Sequence, residues 1–298
     1  MLKVVAVILA RLSSTRLPGK VLMPLNGKNT IARLSDICSR SKFIQKVVLA
    51  TSKEPSDKKL EDYGKSIGLD VYRGNLTDVL GRFTAAAAHS NADIIVYIGG
   101  DCPLLDIGLI DNGISLLMSE KYDFVTNYEP PTYPNGHDLN IITSQALDKV
   151  NKAAQLPFER TNIFSFISFN KKLFDVKNVA HQKNFSSYQL ALDDEDDFNV
   201  LNRICKFLDH AEIYNYEIDY LVEVSKSTPE FFDLLQLANK NRIAGNALLS
   251  SGKIVNELLG DVADYISNIE CANRNIFDVK SDIKYASDLL EFIKSNVD

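Results

Sequence analysis

Arg11, Arg16 and Lys20 stand within ten residues of one another, interleaved with the hydroxyls of Ser13, Ser14 and Thr15 and closed by Pro18-Gly19. Three cations and three hydroxyl donors on one short loop suit a compact polyanion, because hydrogen bonds from charged donors to phosphate oxygens are roughly twice as strong as neutral ones. Gly19 allows close backbone approach, and with Pro18 it fixes a turn. The spacing is not that of a Walker A loop, which needs Gly, four residues and then Gly-Lys-Ser/Thr. Here Ser14 holds the first glycine's place and Val21 follows the lysine.

Two more segments carry a carboxylate at the end of an apolar run. Tyr97-Ile98-Gly99-Gly100-Asp101 ends in two glycines and an acid, and Leu190-Ala191-Leu192-Asp193 opens an acidic run that continues to Asp197. Magnesium takes one or two carboxylates and completes its shell with water and substrate phosphates, so Asp101 and Asp193 are candidate ligands of one shared Mg²⁺. The rest of the run reads as a solvated helix cap and first turn, where acids meet the helix dipole favourably. His137, beside Gly136 and Asp138, is the histidine placed for ligand contact.

These groups meet only if the elements behind them converge. Residues 4–9 form an apolar run of the kind a buried parallel strand requires, and open α/β sheets bind ligands beyond the carboxyl ends of such strands. Further strands are predicted at 46–50, 71–73, 93–98, 123–127, 139–142, 173–179 and 188–192. Helices are predicted at 30–39, at 55–66 opened by Pro55, from a Thr77 or Asp78 cap to 89, and at 144–154, 157–169 and 195–208. Right-handed crossovers make this a three-layer α/β/α sandwich around a mostly parallel, Rossmann-like sheet. A turn-rich insertion at 129–136 is placed to cover a substrate. Beyond Lys226 the apolar spacing is helical, at 229–239, 254–267 and 282–295. The chain is thus read as a nucleotide-binding catalytic domain, 1–226, and a helical C-terminal extension, 227–298, that packs on the core or on a second subunit.

A hydrophobic content of 45% in 298 residues supports a real core, and a formal charge of −6 disfavours nucleic-acid or anionic-membrane partners, which call for a basic face. No segment nears 18 consecutive apolar residues, and the opening run is too short for a signal peptide, so the expected location is cytoplasmic. Cys38, Cys102, Cys205 and Cys271 are scattered, suggesting neither disulfides nor zinc.

Ala10-Arg11, Ser14-Thr15-Arg16-Leu17-Pro18-Gly19-Lys20, Asp78-Val79-Leu80-Gly81-Arg82 and Gly100-Asp101-Cys102-Pro103-Leu104 occur in that order. Over residues 2–215 they resemble the cytidylyltransferase family, which includes the CMP-sialate and CMP-Kdo synthetases, and most nearly its spore-coat polysaccharide SpsF-like branch. The resemblance implies Mg²⁺-dependent transfer of CMP from CTP to a sugar or sugar-like acid, with release of pyrophosphate, by a homodimer in surface-polysaccharide synthesis. It gives Arg11 and Lys20 the triphosphate, and Ala10, Ser14, Thr15, Arg16, Gly19 and Gly100 further nucleotide contacts. Arg73 and Arg82 would line the nucleotide or order its loop. Asp101 and Asp193 would hold the metal, while His137, Asp138 and Glu159 would fall on the acceptor side. SpsF-like proteins tend to show Arg-Glu-His where this chain has Phe158-Glu159-Arg160, a departure that bears on the acceptor rather than the reaction. Two other readings stay open. One is a nucleotide-sugar glycosyltransferase on a related fold, releasing a nucleoside diphosphate, and the other a catalytically silent CTP-binding scaffold.

Overall fold

Six apolar residues form strand β1 (Val4–Leu9), and all six are buried. The computed structural model describes residues 2–239. After β1 come the short hairpin strands β2 (Pro24–Leu25) and β3 (Lys28–Asn29), then α1 (Thr30–Cys38), β4 (Lys46–Ser52), α2 (Lys58–Ser66), β5 (Asp70–Gly74), α3 (Val79–His89) and β6 (Ile94–Gly99). The second half holds α4 (Ile107–Glu120), β7 (Phe124–Thr126), β8 (Asn140–Thr143), α5 (Ser144–Ala153), α6 (Pro157–Thr161), α7 (Ser165–Phe169), β9 (Val176–Asn178), α8 (Glu195–His210), α9 (Ile218–Ser227) and α10 (Pro229–Ala238).

The seven-stranded sheet runs β5-β4-β1-β6-β8-β7-β9. Its first four strands are parallel, and β8 pairs antiparallel with both neighbours. Side chains alternate across the sheet with period two. Val4, Ala6 and Ile8 pack with Leu34 of α1, Ile110 of α4, Leu201 of α8 and Phe231 of α10. Val5, Val7 and Leu9 pack with Phe83 of α3, Leu147 of α5 and Phe166 of α7. The result is the expected three-layer α/β sandwich. Each fully buried large side chain contributes about 1.5–3 kcal/mol relative to leaving it in water.

Helix starts follow local chemistry. Asn29 caps α1 through Ala32 N–H at 3.0 Å, Asp78 caps α3 through Gly81 N–H at 2.9 Å, and Asp106 caps α4 through Leu109 N–H at 3.0 Å. Two segments depart from expectation. The helix predicted at 157–169 is broken into α6 and α7, because Asn162 leaves helical geometry and its side-chain amide donates to the Phe158 carbonyl at 3.0 Å. The strand predicted at 188–192 is absent as a ladder. Its N–H groups go instead to three separate places: Gln189 to the Ala238 carbonyl, Leu190 to that of Asn135 and Leu192 to that of Asp101.

The described part of the segment read as an extension packs against α8, with Phe231 of α10 stacked on Phe207 at 4.6 Å. Helices predicted at 254–267 and 282–295 lie outside the described residues. Among the described residues no helix is long and apolar enough to cross a membrane, and Cys38, Cys102 and Cys205 are free and buried. Cys271 lies outside them.

Candidate active site

The loop after β1 leaves the sheet edge as a held curve rather than a free strand. Gly19 takes a left-handed backbone, φ 74°, at the start of the 3-10 turn Lys20–Leu22, and its N–H donates to the Leu12 carbonyl at 2.8 Å. The other anchor comes from the connection between β4 and α2. Buried Asp57 accepts from Leu12 N–H at 2.7 Å through one oxygen and from Ser52 through the other. Sequence reasoning noted Pro55 there and passed over Asp57, since an acid in the first turn of a helix is ordinary.

Ala10, Arg11, Ser14, Thr15, Arg16, Lys20, Arg82, Gly100, Asp101 and Asp193 line one cleft of about 460 Å³. Gly100 serves two purposes. Its N–H bonds the Leu9 carbonyl at 2.9 Å, and a Cβ there would sit 2.6 Å from that of Ala10, so the ends of β1 and β6 can adjoin only without a side chain. The same close approach brings Asp101 to the cationic loop.

Lys20 joins the parts. Its Nζ donates to Asp101 Oδ2 at 2.7 Å and to Asp193 Oδ1 at 3.1 Å, and Arg16 reaches the same Asp193 oxygen at 2.8 Å. Burial by itself would lower the Lys20 pKa, but attraction and hydrogen bonds from the two aspartates outweigh it and hold it above the usual value. Asp193 is delivered by the non-ladder segment: Leu192 N–H bonds the Asp101 carbonyl at 2.7 Å, and Gln189 Nε2 donates to Asp193 Oδ2 at 3.2 Å. Behind it, Asp197 is buried rather than solvated, contrary to the reading of the acidic run. It accepts from the N–H groups of Asp193 and Asp194 at 3.1 and 3.2 Å and so completes the α8 cap.

Arg82 is buried and donates to the Asn75 and Leu76 carbonyls at 2.5 and 3.2 Å, fixing the loop that closes the cleft opposite Lys20. Burial and the like charge of Arg11 lower its pKa. Two guanidinium groups held near each other cost energy that an anion between them relieves.

Four sequence candidates lie elsewhere. Arg73 is tied to the Ser52 and Glu54 carbonyls and to Glu61, so it staples β5 to the connection between β4 and α2 and does not line the cleft. His137 is fully buried beside Asp106 and the Leu104 carbonyl, and burial lowers its pKa. Asp138 accepts from the Tyr128 hydroxyl and Gly136 N–H, and burial with the charges of Asp101 and Asp193 pushes its carboxyl up to about 6. Glu159 is fully buried and accepts from Gln155 and Leu156 N–H at 3.0 and 3.1 Å, closing the start of its own helix.

Burial pushes the Glu159 carboxyl up to about 7 against those backbone bonds. The folded protein therefore keeps a proton there that an unfolded chain releases near pH ~4.3. The contribution to stability is full below that pH and is lost as pH rises toward the folded value. Glu159→Gln keeps an acceptor for both N–H groups without the charge. It is expected to flatten the fall of Tm across this interval and to add about 1–2 kcal/mol at neutral pH and above. A Tm against pH curve of unchanged slope would reject this.

A second cleft of about 280 Å³ adjoins the first, sharing Val79, Tyr97 and Thr161 with it. Tyr128, Asn140, Phe158, Phe164 and Ser165 line its far side. Asn140 is fully buried, its oxygen accepting from Thr126 at 3.0 Å while its amide nitrogen finds no partner among the described residues. Phe158 belongs to the segment whose departure from the SpsF-like pattern bears on the acceptor, whereas Tyr128, Asn140, Phe164 and Ser165 did not stand out in the sequence. Tyr97 offered a further signal, as a hydroxyl-bearing side chain inside an otherwise apolar strand.

The donor set fits a hard divalent cation. Two carboxylates converge on one point, held here by the Lys20 ammonium, and Mg²⁺ usually takes one or two carboxylates while phosphate and water complete its shell. No cluster of three metal-ligating side chains occurs among the described residues, so the substrate would have to complete the shell.

A mostly parallel sheet whose first strand ends in a cationic loop, facing one carboxylate beyond the end of β6 and a second carried on an irregular segment, defines an α/β nucleotidyltransferase fold. The chain belongs to the cytidylyltransferase family, whose model matches residues 5–254. A cytidylyltransferase structure from Leptospira borgpetersenii superposes with a TM-score of 0.71 at 31% identity, covering 81% of this chain and 98% of that one. The spore coat polysaccharide biosynthesis protein SpsF of Bacillus subtilis is 27% identical over 66% of this chain and 84% of its own. The 3-deoxy-manno-octulosonate cytidylyltransferase of Francisella philomiragia is 26% identical over 79% and 84%.

Proposed function

We propose that this protein transfers CMP from CTP to a hydroxyl of a sugar or sugar-like acid, releasing pyrophosphate, with Mg²⁺ held by Asp101 and Asp193, in glycan biosynthesis. The observation that carries the reading is the convergence of Lys20, Arg16, Asp101 and Asp193 within one cleft. A silent scaffold has no need of two carboxylates facing a polyanion site.

In this reading the triphosphate lies along the first loop, with Arg11, Arg16 and Lys20 on its oxygens and Arg82 behind. When bound, Mg²⁺ would neutralise charge on the reacting phosphate and the departing pyrophosphate. The acceptor occupies the adjoining cleft, where the unpaired Asn140 amide offers a buried donor and the ring faces of Tyr97 and Phe158 offer an apolar wall. Asp138 lines neither cleft, but it accepts from the hydroxyl of Tyr128, which does line the second, and through Tyr128 it takes up the proton of the attacking hydroxyl. Its raised pKa leaves it protonated at mildly acidic pH, so kcat/KM is expected to fall as pH drops through about 6. Asp138→Asn should remove that acidic limb.

The reaction draws on the cytosolic nucleotide pool, so the enzyme is taken as cytoplasmic, and as a homodimer by likeness to its family. The decisive assay follows pyrophosphate release from each nucleoside triphosphate with Mg²⁺ and a panel of sugar acids. CTP-selective release that depends on one acid supports the reading. Nucleoside diphosphate release in its place would reassign the protein to glycosyl transfer, and CTP binding with no turnover across the panel would favour the scaffold.

A further inference from the structure

Lys20 and Arg16 do not merely border the carboxylate pair. They occupy it: Lys20 Nζ holds Asp101 Oδ2 at 2.7 Å and Asp193 Oδ1 at 3.1 Å, and Arg16 holds that second oxygen at 2.8 Å. The aspartates' other oxygens are engaged as well, Asp193 Oδ2 by Gln189 Nε2 at 3.2 Å and Asp101 Oδ1 by Cys102 Sγ at 3.7 Å, so a divalent cation shared by the pair, at about 2.0–2.1 Å for Mg²⁺, would compete with the ammonium. The ammonium and the metal therefore exclude each other at one point.

The two cations differ in freedom. The Lys20 side chain is 10% exposed and rises from the Gly19 turn, whereas that of Arg16 is 62% exposed. Triphosphate oxygens in the same cleft offer both a multiply charged partner. Moving the ammonium a short way from carboxylate to phosphate would leave the aspartates facing an empty point that a divalent cation can neutralise.

We infer that Lys20, aided by Arg16, guards the aspartate pair, so that the divalent cation enters with the triphosphate and not before it. The identity of the anion rests on the nucleotidyl-transfer reading above, but the competition for Asp101 and Asp193 belongs to this chain's own groups. Coupling is reciprocal: whatever factor the nucleotide adds to metal affinity, the metal adds to nucleotide affinity. An ordered entry of this kind keeps the site from filling with metal in a state that has no substrate to activate.

The test titrates Mn²⁺ into the full chain without nucleotide, reading free Mn²⁺ by electron paramagnetic resonance, for wild type, Lys20→Met and Arg16→Met, each checked by thermal melt. Lys20→Met is expected to bind Mn²⁺ about 10- to 100-fold more tightly than wild type, because a positive charge within hydrogen-bond reach of both ligands is gone. Arg16→Met should move in the same direction by about threefold, the scale of an exposed pair. Adding Asp101→Asn to Lys20→Met should abolish the gain.

Mn²⁺ affinity unchanged or weaker in both variants overturns the inference. If Lys20→Met does not fold, Arg16→Met decides alone, a gain supporting the inference and its absence overturning it. CTP binding is measured separately by thermal shift on wild type. A Mn²⁺ gain without CTP stabilisation would sink the nucleotidyl-transfer reading and leave the competition standing, whereas CTP stabilisation without the gain would do the reverse.

Discussion

Lys20→Met is expected to lower kcat for CMP transfer by about 10²- to 10³-fold, the usual cost of deleting one preorganised donor aimed at developing charge. The side chain is 10% exposed and its charge is locked on by two aspartates, so it acts in a region with little water to screen it. Charge on the phosphate oxygens grows between bound substrate and transition state. The deficit should therefore fall mainly on kcat, with a smaller rise in KM for CTP. Lys20→Arg keeps the charge, but a planar fork cannot place one compact ammonium between two carboxylates, and an intermediate rate is expected. Steady-state pyrophosphate release measures all of these. A Lys20→Met enzyme within about threefold of wild-type kcat would remove Lys20 from the mechanism. Without the ammonium only Arg16, on Asp193, is left to offset the two carboxylates, so the variant's Tm should be lower and should recover on adding Mg²⁺.

Asp101→Asn should cost about 10³-fold in kcat, because loss of a charged ligand removes several kcal/mol of metal-derived stabilisation and each 1.36 kcal/mol is a factor of ten. The substitution is clean in this fold. Asp101 positions Asp193 through its backbone carbonyl, which accepts from Leu192 N–H at 2.7 Å, and that bond survives the change of side chain. The amide keeps the shape and one acceptor oxygen, so part of the loss should return at high Mn²⁺. Plots of rate against metal concentration would show a raised half-saturation as well as a lower plateau. An Asp101→Asn enzyme with unchanged metal dependence would mean that the metal is held elsewhere. Replacing Asp197 is a poorer test, since its carboxylate holds the N–H groups of Asp193 and Asp194 and its loss would move the ligand and the α8 cap together.

Much of the molecule is legible residue by residue. Val4–Leu9 reads as a buried strand because an all-apolar run has no wet face, and Thr77 or Asp78 reads as a cap because a short side-chain acceptor can satisfy a free helix N–H there, the structure choosing Asp78. Asn162 shows the limit. Its neighbours continue a helical pattern, yet Asn162 leaves helical geometry, φ −105° and ψ 88°, while its N–H and its side-chain amide both donate to the Phe158 carbonyl, and the helix ends there. Glu159 shows another. A glutamate three residues into a helix is equally suited to a ligand or to its own N-terminus, and only its burial against Gln155 and Leu156 N–H assigns it to the helix. Arg73 carries the same charge as Arg82, and the two differ in which carbonyls lie within reach after folding.

From its order of residues alone the chain specified the parallel α/β pattern, the cationic turn from Arg11 to Lys20, and two acids standing at strand-like ends, because each of these depends on neighbours within a few positions. Folding decided that Lys20 meets Asp101, 81 residues away, and Asp193, 173 residues away. That meeting depends on β6 lying beside β1 in the sheet, on a glycine at 100 small enough to let their ends touch, and on a segment that gives its N–H groups to three different partners instead of one strand. Such long-range hydrogen bonds depend on where the chain returns in space, which no local pattern encodes.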